Sequence, residues 1–177
     1  GVGLITYFWY RHVQRLPAAA RVEIERLQMP EYQQVSIKKI LVPTTGAHAH
    51  DVIQFAAKLA KMHGADVTAL HVIEIPPSLP LDTFFPEKLA VADSIMQQSQ
   101  AIARESEVPI EAQVKQARAA GETIVELARE GSYYLIILGA APRALSTAPG
   151  RTSFGTSVEH VVRSAPCRVW IFTGKGS

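Results

Sequence analysis

Residues 135–139 read Leu-Ile-Ile-Leu-Gly, and residues 155–158 read Gly-Thr-Ser-Val. The first run is continuously apolar, as the fully buried strand of a parallel sheet must be. The second opens a segment in which Val158, Val161 and Val162 recur at helical spacing, behind a Gly-Thr-Ser cap. A strand, a small-residue loop and a helix start make a place for an anion. The first turn of a helix carries unpaired N–H groups and the positive end of the dipole. Phosphate is the anion most often held there, and glycine lets the backbone approach it closely. The blander alternative is a Gly-rich turn that binds nothing.

Other side chains also bear groups that could do chemistry. His48, His50 and Asp51 stand close together, and a His-x-His pair can hold a metal. No second ligand cluster accompanies them, and Asp51 suits a helix cap or first turn, so no metal site is predicted. His71 lies inside an apolar run and reads as a satisfied core or pocket residue; His160 reads as surface. Ser153, Thr156 and Ser157 are hydroxyls near the anion position, but no Gly-x-Ser-x-Gly elbow or acid–His partner makes one of them a nucleophile. Cys167 follows Pro166 into an apolar run and reads as a buried structural thiol. Glu87, Lys88 and Asp93 read as a solvated helix face. With no general base in a clear role, efficient turnover is not expected.

The elements that must position these residues follow from pattern. The chain has 177 residues, 47% of them apolar, which suffices for one domain with a proper core. A net charge of +2 gives no ground for a nucleic-acid partner, and a single cysteine forbids an intrachain disulfide. From Ile37 onward strands and helices alternate. Strands are expected at 40–42, 67–73, 110–114, 134–138 and 169–172, and helices at 51–63, 86–106, 122–130 and 155–164. That alternation predicts an α/β fold, an open sheet of five parallel strands with helices on both faces. Ligands of such sheets bind outside the strands' C-terminal ends, where strand order reverses. The residues at those ends are Pro43, Thr44 and Thr45, then His71, Val72 and Ile73, then Leu138 and Gly139.

Residues 1–36 differ from the rest. Gly1 to Tyr10 is apolar and ends on Tyr7, Phe8, Trp9 and Tyr10, with Arg11 and Arg15 behind it. Ten residues are too few to cross a bilayer, which takes about 20. The order apolar, aromatic, basic is that of a membrane helix leaving on the cytoplasmic side, so the tail is expected to be the end of a spanning helix that begins upstream. The alternative is an amphipathic helix packed on a domain. A second helix is expected at 18–27 and a polar linker at 31–36, which leaves 37–177 as the regular domain.

Six pieces of that domain, in order, resemble the universal stress protein family: 39–44 (Lys-Ile-Leu-Val-Pro-Thr), 69–73 (Ala-Leu-His-Val-Ile), 121–124 (Gly-Glu-Thr-Ile), 136–139, 155–158 and 165–169 (Ala-Pro-Cys-Arg-Val). The resemblance implies the adenine nucleotide alpha hydrolase-like form of the five-stranded fold and a homodimer through the last strand. It further implies ATP or another adenine nucleotide, with magnesium, as ligand. The site residues it implies are Pro43, Thr44, Thr45, Val72, Gly139, Gly155, Thr156 and Ser157, with Val72 as the wall against adenine; Arg143 and Arg151 in the loop before Gly155 read either as bidentate phosphate donors or as solvated loop charges. The family's nucleotide signature runs Gly, two residues, Gly, nine residues, Gly, then Ser or Thr. Here Gly139 and Gly155-Thr156 match its ends, Pro142 replaces the middle glycine, and twelve residues (143–154) replace nine, Gly150 among them. Proline fixes φ and lacks an N–H. Thr45 stands where nucleotide-binding relatives usually carry Asp, and a hydroxyl brings no charge. Both departures imply weak binding.

The reading expected on these grounds is a regulatory domain on the cytoplasmic face of the cell membrane. It would bind an adenine nucleotide or small anion and be attached to an amino-acid transporter whose last helix the tail resembles, as in permeases of the amino acid–polyamine–organocation group. The alternatives are a soluble, cytoplasmic, homodimeric stress protein with weak ATP binding or slow ATPase activity, and an interaction module whose nucleotide site has decayed.

Overall fold

The computed structural model describes residues 36–44, 48–140 and 154–173. The expected tail and its helix at 18–27, and Thr45, Pro142, Arg143, Gly150, Arg151 and Ser153, lie outside the described residues. Nine elements alternate among the described residues: β1 (Lys39–Pro43), α1 (Ala49–His63), β2 (Asp66–Glu74), α2 (Pro86–Ser106), β3 (Ile110–Ala117), α3 (Ala120–Glu130), β4 (Leu135–Gly139), α4 (Thr156–Ser164) and β5 (Arg168–Phe172).

The five strands form one parallel sheet in the order β3-β2-β1-β4-β5, as the alternation predicts. β1 and β4 are central, and their apolar runs are buried on both faces, with Ile40, Leu41, Ile136 and Ile137 fully enclosed. On one face Ile40, Val42, Ala69 and Ile137 pack with Val52, Ile53, Ala56 and Ala60 of α1 and Ile102 of α2. On the other, Leu41, Leu70, Ile136 and Leu138 pack with Ile124, Val125 and Ala128 of α3 and Val161 of α4. α1, α2 and α3 each bury a stripe at the three-to-four-residue spacing that the sequence shows, and α4 buries Val161. In α2 that stripe is Ala92, Ile95, Ser99 and Ile102, with the Ser99 hydroxyl turned back onto the Ile95 carbonyl at 2.8 Å.

Local signals set the helix ends. Pro86 starts α2, where its missing N–H costs no helical bond. Gly64 ends α1 at φ +65°, a left-handed conformation that glycine adopts without strain, and its N–H reaches the Ala60 carbonyl. Three boundaries differ from expectation by two residues or more, and the first is the start of α1 at Ala49 rather than at 51. β3 runs on to Ala117 because β2 pairs with it as far as Glu74. α3 starts at Ala120, two residues early, because the Glu74 carboxylate accepts the Ala120 N–H at 2.8 Å; a cap from 46 residues away leaves no mark in the local pattern. The outer strands differ: β3 carries Glu111, Gln113 and Lys115, whereas β5 carries Val169, Trp170, Ile171 and Phe172. No helix among the described residues is long and apolar enough to cross a membrane.

Candidate functional site

Strand order reverses between β1 and β4: β1 continues outward to β2 and β3, and β4 to β5. That switch point is where a crevice should open. A cleft of about 590 Å³ lies there, at the C-terminal ends of β2 and β4. Gly139, Gly155, Thr156 and Ser157 line one side of it and His71 and Val72 the other. Five of the nine residues singled out from the sequence are thus brought together. Thr45 and Arg143 fall outside the described residues. Pro43 and Thr44 sit beneath the cleft and are buried.

Thr44 is sealed, with 1% of its surface exposed. Its N–H and its hydroxyl both donate to the Leu70 carbonyl, at 2.8 and 3.2 Å. Its own carbonyl lies 3.0 Å from Nδ1 of His71, and since a carbonyl only accepts, Nδ1 carries the proton. His71 is therefore the satisfied pocket residue that its sequence position predicts. Its ring takes the acceptor that the N–H of Val72 would use if the β1–β2 ladder ran one step further. In a parallel strand alternate residues face the same neighbour, and Leu70 faces β1. Val72 faces the same way, past the end of β1, and its N–H and C=O have no partner among the described residues.

The glycines of the site do more packing than the sequence signals. A Cβ on Gly139 would lie 2.9 Å from Cγ2 of Val52, a stiff side chain in the core. A Cβ on Gly121 would meet Cβ of His160 at 3.0 Å and the Ser157 carbonyl at 3.1 Å. The missing side chain at Gly121 lets the start of α4 settle against α3, which places Thr156 and Ser157 at the cleft. Gly155 caps α4 with φ −66° and ψ 159°, extended backbone that any residue adopts, and no side chain caps that helix. His160 is exposed, as expected.

Two charged residues that line the cleft escape the sequence reading. Lys88, expected on a solvated face, is half-buried and lines the cleft; its Nζ donates to the Glu74 carbonyl at 2.6 Å and stands 4.9 Å over the Phe85 ring. Glu74 lines the cleft beside it. Arg118 steadies the rim: the two N–H groups of its Nη1 are shared among the carbonyls of Ile75, Pro76 and Leu79, at 3.3, 2.5 and 2.8 Å. The rule for strand ends places His71 and Val72 at the cleft, whereas nothing in the amphipathic spacing of α2 distinguishes Lys88 from its neighbours.

Asp51 lies in the first turn of α1, and the helix cap at His48 makes no side-chain bond. Among the described residues no three His, Cys, Asp or Glu side chains gather as metal ligands. Cys167 is half-buried against the cluster under α3 and α4, and burial pushes its thiol above the ordinary value of 9.0. It therefore stays protonated at neutral pH, as a structural thiol would.

This doubly wound sheet with its crevice at the switch point is that of an open parallel α/β domain. The chain belongs to the universal stress protein family, whose profile matches residues 36–173. It is similar in fold to a universal stress protein from Archaeoglobus fulgidus, with 21% identity and a TM-score of 0.61 over 76% of this chain and 97% of that one. A universal stress protein from the same organism in complex with dAMP shares 19% identity and a TM-score of 0.58, covering 77% and 98%. Another, in complex with cAMP, shares 21% and a TM-score of 0.55, covering 78% and 98%. No curated protein is similar enough in sequence to be matched to the chain.

Proposed function

We propose that the domain is a regulatory module that binds an adenine nucleotide in the cleft between the start of α4 and the end of β2. The observation that carries this reading is the meeting of Gly139, Gly155, Thr156, Ser157 and Val72 in one crevice at the sheet's switch point. The relatives crystallised with dAMP and cAMP support the ligand class. The phosphate belongs at the start of α4, where N–H groups point outward without a side-chain cap. Thr45 and Pro142 replace residues of the family signature, so affinity is low: a Kd on the order of 10 µM or weaker, about −7 kcal/mol. Calorimetry with MgATP and AMP tests this. Nanomolar binding would contradict it, and no heat at millimolar ligand would favour an interaction module with a decayed site.

The domain pairs with a second copy through β5. That strand ends the sheet with an open edge, and Trp170 and Ile171 are 42% and 37% exposed on it. Trp170→Lys is expected to shift sedimentation from dimer to monomer at tens of micromolar; a parent chain that is already monomeric there would contradict the pairing.

The module is attached to a membrane transporter for amino acids and faces the cytoplasm, a reading supported by the apolar, aromatic, basic order of residues 1–15. Removing residues 1–16 is expected to abolish liposome binding and leave Tm within a few degrees of the parent. A strong fall in Tm would instead favour a soluble stress protein whose tail is a packed helix.

A further inference from the structure

We infer that the end of the domain opposite the cleft rests on anionic lipid through Lys38, Lys39, Arg129 and Arg168, so that the cleft opens away from the bilayer. This rests on the membrane attachment proposed above. The strands are parallel and each helix leads back to the start of the next strand, so strand starts and helix ends share one end of the domain. Residues 1–35 join the domain there, at Ser36, just ahead of β1. The cleft lies at the other end, beyond the last residues of β2 and β4.

Charge is sorted between these two ends. Asp51, Glu87 and Glu122 stand in the first turns of α1, α2 and α3, toward the cleft, and basic residues stand in the last turns. Helix dipoles alone favour that order. They do not account for Lys38, Lys39 and Arg168, which stand at strand starts. These three and Arg129 are exposed, and among the described residues none of the four is in an ion pair. Asp66 is in register with Lys39 and Glu130 follows Arg129, yet neither carboxylate comes within 4.0 Å of their charged nitrogens. Lys61 and Arg163 are already paired, with Glu107 and Glu159. The four cations share one side of this end. The Tyr134 N–H donates to the Lys39 carbonyl at 3.0 Å, and Arg168 is in register with Leu135. Nζ of Lys39 donates to the Gly131 carbonyl at 3.3 Å, two residues beyond Arg129, and the Arg168 guanidinium stands 4.8 Å over the Tyr134 ring. Unpaired positive charge thus gathers beside the point where the tail joins. Each Lys or Arg held at an anionic leaflet strengthens binding about fivefold. Stable attachment takes an apolar anchor and a basic patch together, so these four cations do not hold the domain on a vesicle without the tail. The same surface repels the acidic first turns, which turns the cleft outward.

The test is sedimentation of the full chain with vesicles of phosphatidylcholine, alone or with one third phosphatidylserine, at low salt. The parent is expected to prefer the anionic vesicles by about tenfold or more. Lys38 and Arg129 make no side-chain hydrogen bond, ion pair or ring contact among the described residues, so replacing them leaves the fold intact. Lys38→Gln with Arg129→Gln is expected to weaken binding to anionic vesicles by roughly 20-fold, and to leave neutral vesicles within about twofold and Tm unchanged. Lys38→Arg, which keeps the charge, is expected to bind as the parent does. A parent without preference, or a preference that survives in the double glutamine variant, would overturn this inference alone, the second by assigning the preference to Arg11, Arg15, Arg21 and Arg26 of the tail. A loss seen with a DNA duplex and not with vesicles would overturn it too, by making this end a nucleic-acid surface. No binding of the full chain to either vesicle would overturn the membrane attachment and this inference together.

Discussion

The two sides of the cleft are held in different ways. The β2–α2 side is tied by polar side chains to backbone groups: Arg118 to three rim carbonyls, Lys88 to Glu74, Glu74 to Ala120, His71 to Thr44. The α4 side is placed by absent side chains, at Gly121 against His160 and Ser157 and at Gly139 against Val52. Polar ties at a half-exposed rim can be cut one at a time, because water replaces each lost partner. Close packing has no such reserve, because a single added carbon displaces backbone or core. The site thus joins a side that can vary in chemistry to one that cannot vary in volume.

The sharpest way to break this contrast is Gly121→Val. Its branched side chain meets both His160 and the Ser157 carbonyl, and the expected loss is about 2–3 kcal/mol, read as a lower urea midpoint. Gly121→Ala should cost about half as much, so the pair reports whether volume is the cause. Next is Gly139→Ala, expected to cost about 1–2 kcal/mol because Val52 is β-branched and enclosed. A neutral result there would mean that the glycine serves the ligand rather than the core. On the polar side, Arg118→Met should cost about 1 kcal/mol, since the three carbonyls it leaves are mostly open to solvent. A loss as large as that of Gly121→Val would erase the distinction between the two sides. The smallest stability effect belongs to Gly155→Val, within about 0.5 kcal/mol, because its φ and ψ suit any residue. Nucleotide affinity should nevertheless fall about tenfold as the side chain blocks approach to the helix start. Unchanged affinity would mean that the phosphate lies elsewhere.

The elements were legible where one residue type decides them. Pro86 and the stripe through Ala92, Ile95 and Ile102 give α2 its bounds of 86–106 in sequence and structure alike. The buried runs of β1 and β4 announce a parallel sheet; the rule for strand ends then finds Val72 and Gly139, and the helix-start pattern finds Gly155, without any ligand. What stayed hidden depends on partners distant in the chain. Gly139 looks like a phosphate glycine until Val52 is seen beneath it. Lys88 looks solvated until α2 is laid across the end of β2. Thr44 looks available until its hydroxyl is found bound to Leu70 and its carbonyl to His71. Spacing shows which residues share a face; it does not show which hydrogen-bonding groups are already taken.

β2 outruns β1, and His71 occupies the one carbonyl that would have extended their ladder. The consequence is kinetic. Among the described residues the amide of Val72 has a strand's geometry without a strand's partner, so its hydrogen should exchange with solvent faster than that of Leu70 two residues back, which lies in the paired part of the strand. Any molecule that fills the cleft must cover that amide or bond to it. Its exchange rate is therefore a native clock for occupancy, read in the unlabelled protein before the identity of the ligand is known.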